Sequence, residues 1–232
     1  MKIAIIHGQS HKGSTYHIAH MLAEKINGDI EEFFLPRDFG EFCVGCTMCF
    51  MESEKKCPHY EKLKPLTDAM DEADVIILAS PVYVYHVTGA MKTFLDHYGY
   101  RWMVHRPNEC MFKKQGVCIS TAAGAGMKPT NKDMADSLFF WGVAKRYRYG
   151  VRVAAVNWNR VSEKKKSEID SATSKLAKKI VNNSKHIKPG IKTRGMFWIM
   201  RFLQKKGISP NDTEYWNAKG WTGKNRPWHQ NK

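Results

Sequence analysis

Four short apolar runs punctuate the first two thirds of the chain: IAII at 3–6, VIILA at 75–79, VCIS at 117–120 and VAAV at 153–156. Their residues do not alternate with polar ones, which is the pattern of strands covered on both faces. A weaker run, IEEFFL at 30–35, alternates in part. Ile18, Leu22 and Ile26 recur every four residues and stop at Asn27-Gly28, the pattern of a helix closed by a glycine signal. Further helical patterns cover about 60–72, 88–98, 130–141 and 162–183, each filling a gap between strands or following the last one. Strand alternating with helix predicts a parallel sheet with right-handed crossovers.

Five such strands predict an α/β fold, a flavodoxin-like doubly wound five-stranded parallel sheet with helices on both faces. After about 185 the periodicity changes. KPGIKTRGMFWIMRFLQKKGISPND, at 188–212, is a Pro/Gly break, a compact apolar and basic stretch, and another break. The chain therefore divides into a domain over 1–185 and a basic, aromatic-rich C-terminal extension over 186–232.

In open α/β sheets ligands bind beyond the carboxyl ends of the strands, which directs attention to three loops. The first, HGQSHKGST at 7–15, can turn backbone N–H groups and hydroxyls toward an anion at a helix N-terminus. Gly8-x4-Gly13 is followed by Ser14-Thr15, so it is not a Walker A loop, and it lacks the G-x-G-x-x-G of a dinucleotide site. It suits a monophosphate without magnesium, or else is a glycine turn with a Ser/Thr cap. The second loop, at 79–97, offers Pro81 and the aromatic Tyr83 and Tyr85, a stiff apolar edge fit for a flat ring. The third, STAAGAGMKP at 120–129, has residues small enough for a ligand to approach the main chain. Together the three make FMN the economical ligand.

GQSHKGST, DVIILASPVY with downstream MKTFLDH, and CVGCTMC together resemble the NADPH-dependent FMN reductase-like flavodoxin superfamily, in the branch related to iron-sulfur flavoproteins. The resemblance covers about residues 1–185. It implies phosphate contacts from Ser10, Lys12, Gly13, Ser14 and Thr15, and flavin-ring contacts from Pro81, Val82 and Tyr83. Thr121, Ala122, Ala123 and Gly124 would close the other side of the ring. It also implies a homodimer or tetramer in which one subunit covers the other's flavin.

Four of six cysteines, Cys43, Cys46, Cys49 and Cys57, follow a C-x2-C-x2-C-x7-C spacing, with Pro58 after the last. Thiolates at x2 spacing can point into one concave turn and match the ligand count of a four-iron four-sulfur cluster, the group such a motif holds in iron-sulfur flavoproteins. Structural zinc and free or redox-active thiols remain open alternatives. Cys110 and Cys118 stand apart and are read as buried.

The formal net charge of +15 raises nucleic acid as a partner, but eleven Lys or Arg and only two acids, Asp212 and Glu214, fall between Lys185 and Lys232. A charge gathered in an extension argues for a solvated tail or an anionic contact and against specific nucleic-acid binding. Within it, MFWIMRFL at 196–203 reads first as a helix packed on the body or on a second subunit, and membrane contact by the tail is the lesser reading. MKIAIIHG holds too short an apolar run for a signal peptide and no stretch is long enough for a span, so a cytoplasmic protein is expected. The function expected is an FMN-dependent oxidoreductase taking electrons from NAD(P)H to a small acceptor such as a quinone, a flavin or an iron complex. The alternative is an electron carrier in which FMN and a cluster serve ferredoxin-like partners. The flavin carries such chemistry, so no catalytic side chain is singled out, although Tyr83, Tyr85 and His86 can line the substrate face.

Overall fold

β1 (Lys2–His7) sends Ile3 and Ile5 to one face of the sheet and Ala4 and Ile6 to the other, and all four are buried. A strand apolar at every position has to lie between two layers, which is why its sequence does not alternate. The computed structural model describes residues 1–155 and 157–229. After β1 come α1 (Ser14–Ile26), β2 (Asp29–Phe34), the single-turn α2 (Met48–Met51) and α3 (Tyr60–Glu72). β3 (Val75–Pro81), α4 (Gly89–Asp96), β4 (Gln115–Ala122), α5 (Met127–Phe140), β5 (Lys145–Arg152) and α6 (Glu163–Ser184) complete the α/β unit. All pairings are parallel, in the order β2-β1-β3-β4-β5.

Two cores result. Leu63, Leu66, Met91, Phe94, Met134 and Leu138, from α3, α4 and α5, cover the Ala4 face, while Ile18, Leu22, Ile169 and Ile180, from α1 and α6, cover the Ile3 face. The α1 terminus differs in detail from its sequence signal. Asn27 takes the left-handed conformation (φ 57°), and Gly28 is needed because a Cβ there would lie 2.2 Å from the Met1 carbonyl.

The fifth strand is displaced from the expected run at 153–156. β5 is Lys145–Arg152, KRYRYGVR, and it alternates because it is an edge strand whose Tyr147, Tyr149 and Val151 pack on the core side only. Val153 and Ala155 lie beyond its carboxyl end, and Val156 is outside the described residues. The extension folds as α7 (Ile191–Lys205) and α8 (Pro210–Ala218). Phe197, Trp216 and Trp221 form a third buried cluster with Met103 and Phe112 of the α4–β4 connection. Among the described residues no helix is long and apolar enough to cross a membrane.

At the end of β1, His7 is 3% exposed, stacks on Phe34 with ring centroids 4.6 Å apart, and donates its Nε2–H to Glu32 Oε2 at 3.1 Å. His20 Nε2–H reaches the same oxygen at 2.7 Å. Burial outweighs the Glu32 charge and pushes the His7 pKa down from 6.5 to about 4. The folded protein thus keeps this imidazole neutral where the unfolded chain would take up a proton. Its contribution to stability is complete above pH 6.5 and is lost as pH falls toward 4. Between pH 7 and pH 5 the wild type should lose about 2 kcal/mol more unfolding free energy than His7→Gln, measured by urea denaturation. Parallel losses in the two proteins would refute the assignment.

Candidate functional site

Three loops meet at the carboxyl ends of β1, β3 and β4 and enclose a cleft of about 240 Å³. The first leaves β1 at Gly8, whose N–H donates to Ala79 O (2.7 Å) and whose carbonyl accepts from the Thr88 hydroxyl. A Cβ on Gly8 would sit 3.0 Å from both Ser80 Oγ and Thr88 Oγ1, so this close approach of loop to strand leaves little room for a side chain. Thr88 also caps α4, accepting from Met91 N at 3.1 Å. Gly13, the N-cap of α1, has no side chain to offer. Among the described residues the N–H groups of Ser14, Thr15 and Tyr16 find no acceptor in the protein, and Ser14 and Thr15 line the cleft. Open donors at a helix N-terminus and two hydroxyls are a donor set for a phosphate.

The loops are tied to one another. Thr15 Oγ1 and Thr121 Oγ1 share a buried hydrogen bond of 2.6 Å, joining the first loop to the third. Val82 N–H donates to Thr121 O at 2.9 Å, joining the second to the third. Gly126 (φ +101°) lies so close to Val82 that a Cβ would fall 2.5 Å from Val82 Cγ1. Tyr83 and His86 exchange backbone hydrogen bonds of 2.9 and 3.0 Å around Val84 (φ 46°) and Tyr85 (φ 68°). That two-residue turn, built from residues that disfavour positive φ, stores about 1–3 kcal/mol of strain per residue. His86 Nδ1–H to Asp133 Oδ2 (2.9 Å) helps to hold it. The Tyr83 hydroxyl donates back across the cleft to Gln9 Oε1 at 3.3 Å.

Of the residues expected from the sequence, Gly13, Ser14, Thr15, Pro81, Val82, Tyr83, Thr121, Ala122 and Ala123 line this cleft. Ser10, Lys12 and Gly124 do not. The Ser10 hydroxyl donates to Leu35 O at 3.2 Å, Lys12 Nζ lies 5.0 Å from the Tyr16 ring centroid, and Gly124 has nothing within 4 Å of its Cβ position. Gln9, His11, Val153 and Ala155 join the lining instead. Among the described residues the N–H groups of Ala123 and Gly124 make no hydrogen bond within the protein. Phosphate donors at one end, Pro81-Val82-Tyr83 and the Thr121–Ala123 main chain at the other, fit a phosphorylated flat ring such as FMN.

Cys43, Cys46, Cys49 and Cys57 line a separate, mostly apolar cavity with His59 and His97. Burial, together with the other three cysteines, pushes the Cys49 thiol up to about 11. Among the described residues no three of the four sulfurs lie within 4.8 Å of one another, whereas Cys57 Sγ does group with one nitrogen each of His59 and His97. A single tetrahedral zinc with ligands at about 2.3 Å needs its sulfurs closer together than that. Cys57, His59 and His97 are thus the donors already at metal-ligand spacing, and the other three cysteines line the same cavity. His97 Nδ1–H donates to Thr93 O (2.8 Å), so its Nε2 lone pair accepts from His59 Nδ1–H at 3.0 Å. The loop is braced from outside. Arg106 donates to the carbonyls of Cys49 and Phe50 and pairs with Asp212 of α8 at 2.8 Å. A larger cleft of about 500 Å³, between this loop, α3 and α8, has a charged lining in which Arg101 pairs with Asp71 at 2.5 Å and Lys64 with Asp68.

Comparison with known proteins bears on both sites. A family profile described as NADPH-dependent FMN reductase matches residues 1–149. An iron-sulfur flavoprotein of Archaeoglobus fulgidus is 35% identical over 101 residues, 42% of this chain and 42% of that protein. An NADPH azoreductase of a Bacillus species is 30% identical over 130 residues, 54% of this chain and 61% of the relative. The chain thus spans less than two thirds of the length of these curated relatives. An FMN-dependent NADH-azoreductase of Bacillus anthracis, solved in complex with FMN, superposes with a TM-score of 0.55 at 14% identity, covering 76% of this chain and 100% of that one.

Thr15→Val keeps the side-chain shape but deletes the hydroxyl that ties the first loop to Thr121. The dissociation constant for FMN, followed by flavin fluorescence quenching, should rise about tenfold. An unchanged constant would show that the tie does not shape the cleft.

Proposed function

Since the chain belongs to the NADPH-dependent FMN reductase family, we propose that it is an FMN-dependent oxidoreductase that carries electrons from NAD(P)H to a small acceptor such as a quinone, a flavin or an iron complex. The observation that supports this most is the uncapped N-terminus of α1 opening into the same cleft as the loops after β3 and β4. When bound, FMN supplies a ring that accepts hydride from the nicotinamide and passes electrons on. The residues act by binding and orientation. Ser14 and Thr15 hold the phosphate through main-chain N–H groups and hydroxyls, helped by the positive end of the α1 dipole. Pro81, Val82 and Tyr83 set one edge of the ring, and the Thr121–Ala123 main chain sets the other. The open N–H group of Ala123, which lines the cleft, would be a donor for negative charge on the ring. Tyr83, 52% exposed, and Tyr85, 63% exposed, leave the acceptor side accessible until a second copy in a homodimer or tetramer covers them.

A second reading concerns the cysteine loop. Four cysteines around one cavity, in a C-x2-C-x2-C-x7-C spacing, support a four-iron four-sulfur cluster held by Cys43, Cys46, Cys49 and Cys57. With it the protein would also exchange electrons with ferredoxin-like partners.

One anaerobic preparation tests both readings. The flavin reading expects about one FMN per chain and NAD(P)H oxidation that depends on it; a chain that retains no flavin on reconstitution would overturn it. The cluster reading expects about four irons per chain in the wild type, lost in Cys46→Ser while NAD(P)H oxidation persists. Iron-free wild type after reconstitution with iron and sulfide would remove the cluster.

A further inference from the structure

α7 is amphipathic twice over. Its inner face, Thr193, Phe197 and Gln204 with Met196 and Met200 beside them, is buried against the body. Its outer face is apolar too: Ile191 is 89% exposed, Trp198 45%, Ile199 56% and Phe202 57%. At about 100° per residue, Ile191, Trp198 and Phe202 fall on one line down the middle of that face. Arg194 and Lys205 flank the line on one side, and Lys192 and Lys206 on the other; all four are exposed. The cations stay close to the rings, with Arg226 and Arg201 4.3 and 5.0 Å from the Trp198 ring and Lys206 4.6 Å from that of Phe202. α7 contains no acidic residue.

We propose that the outer face of α7 docks the protein on an anionic phospholipid bilayer, with Trp198, Ile199 and Phe202 entering the headgroup boundary and the flanking Lys and Arg meeting lipid phosphates. The helix lies flat on the body with this stripe facing outward, the orientation of a helix resting in a membrane interface rather than crossing it. An apolar centre with cations on both sides complements a surface that is apolar beneath and negative above. A second copy of the chain is the competing occupant. Two-fold docking of the same face would bring Arg194, Lys205, Lys192 and Lys206 against their own like charges, which disfavours it. The eleven basic against two acidic residues from Lys185 to Lys232, unexplained by the flavin site, have a role in this arrangement.

The test is sedimentation of the full, flavin-loaded chain with vesicles of phosphatidylcholine alone and with vesicles carrying about 30% phosphatidylglycerol. The partition coefficient should be at least about tenfold higher on the anionic vesicles and should fall as salt is raised from about 0.1 M to 0.5 M. Trp198→Glu and Phe202→Glu, both at exposed positions, should each lower it about tenfold while flavin content and thermal unfolding stay at wild-type values. Equal partition on neutral and anionic vesicles, or binding indifferent to both substitutions, would overturn the proposal. So would a dimer in solution that Phe202→Glu dissociates, which would assign the face to a second copy. Vesicle binding is read without enzyme turnover, so failure of the flavin assignment leaves this result interpretable.

Discussion

The ligand-binding end of the molecule depends on one contact, the main chain of Gly8 pressed between the end of β3 and the cap of α4. Gly8 N–H is held by Ala79 O and Gly8 O by the Thr88 hydroxyl, with little room for a Cβ. In the order β2-β1-β3-β4-β5 the chain leaves β1 toward one side and β3 toward the other, and the crevice opens between them. The Gly8 contact sets how far apart the first two loops can stand. The Thr15–Thr121 and Val82–Thr121 hydrogen bonds then fix the third loop against both. The cleft is therefore shaped before any ligand arrives, which lowers the ordering cost of binding.

How much of this was legible follows from which side chains are buried on two faces. β1, β3 and β4 are, and each announced itself as an unbroken apolar run. β5 is an edge strand with exposed Arg148, Gly150 and Arg152, so its signal was hidden in KRYRYGVR while VAAV beside it looked more like a strand than the real one. The helices, set by spacing and caps, were readable to within a few residues. In the loops, residue type indicated a phosphate cradle, but periodicity does not operate there and nothing in the order of residues tells which way a side chain turns. Ser10 and Lys12 turn elsewhere for that reason, toward Leu35 O and the Tyr16 ring. Gln9 and His11 enter the cleft from the same few residues without any pattern that distinguishes them. The strained Val84-Tyr85 turn was unreadable, because neither residue carries a turn signal and only the surrounding contacts hold it.

The extension was legible as a change of composition and, at 196–203, as a helix packed on the body, but its partners were not. Its Trp216, Trp221 and Phe197 pack on one another and on Met103 and Phe112, far earlier in the chain, and such long-range pairing leaves no local mark. The exposed apolar line on α7 has the same origin. A helix whose two opposite faces are both apolar reads in sequence as one compact hydrophobic stretch, and the separation of a buried face from an outward face exists only once the body is in place.

The Arg106–Asp212 pair has a consequence for how the chain holds its shape. Asp212 is 2% exposed on α8, and through Arg106 it fastens the carbonyls of Cys49 and Phe50. Opening the cysteine loop therefore exposes an ion pair anchored in the last helix, and fraying of that helix releases the loop. Two segments separated by some 160 residues are thus tied by side-chain contacts rather than by local sequence. The backbone of the sulfur-lined cavity is thus braced by a residue of α8, far along the polypeptide.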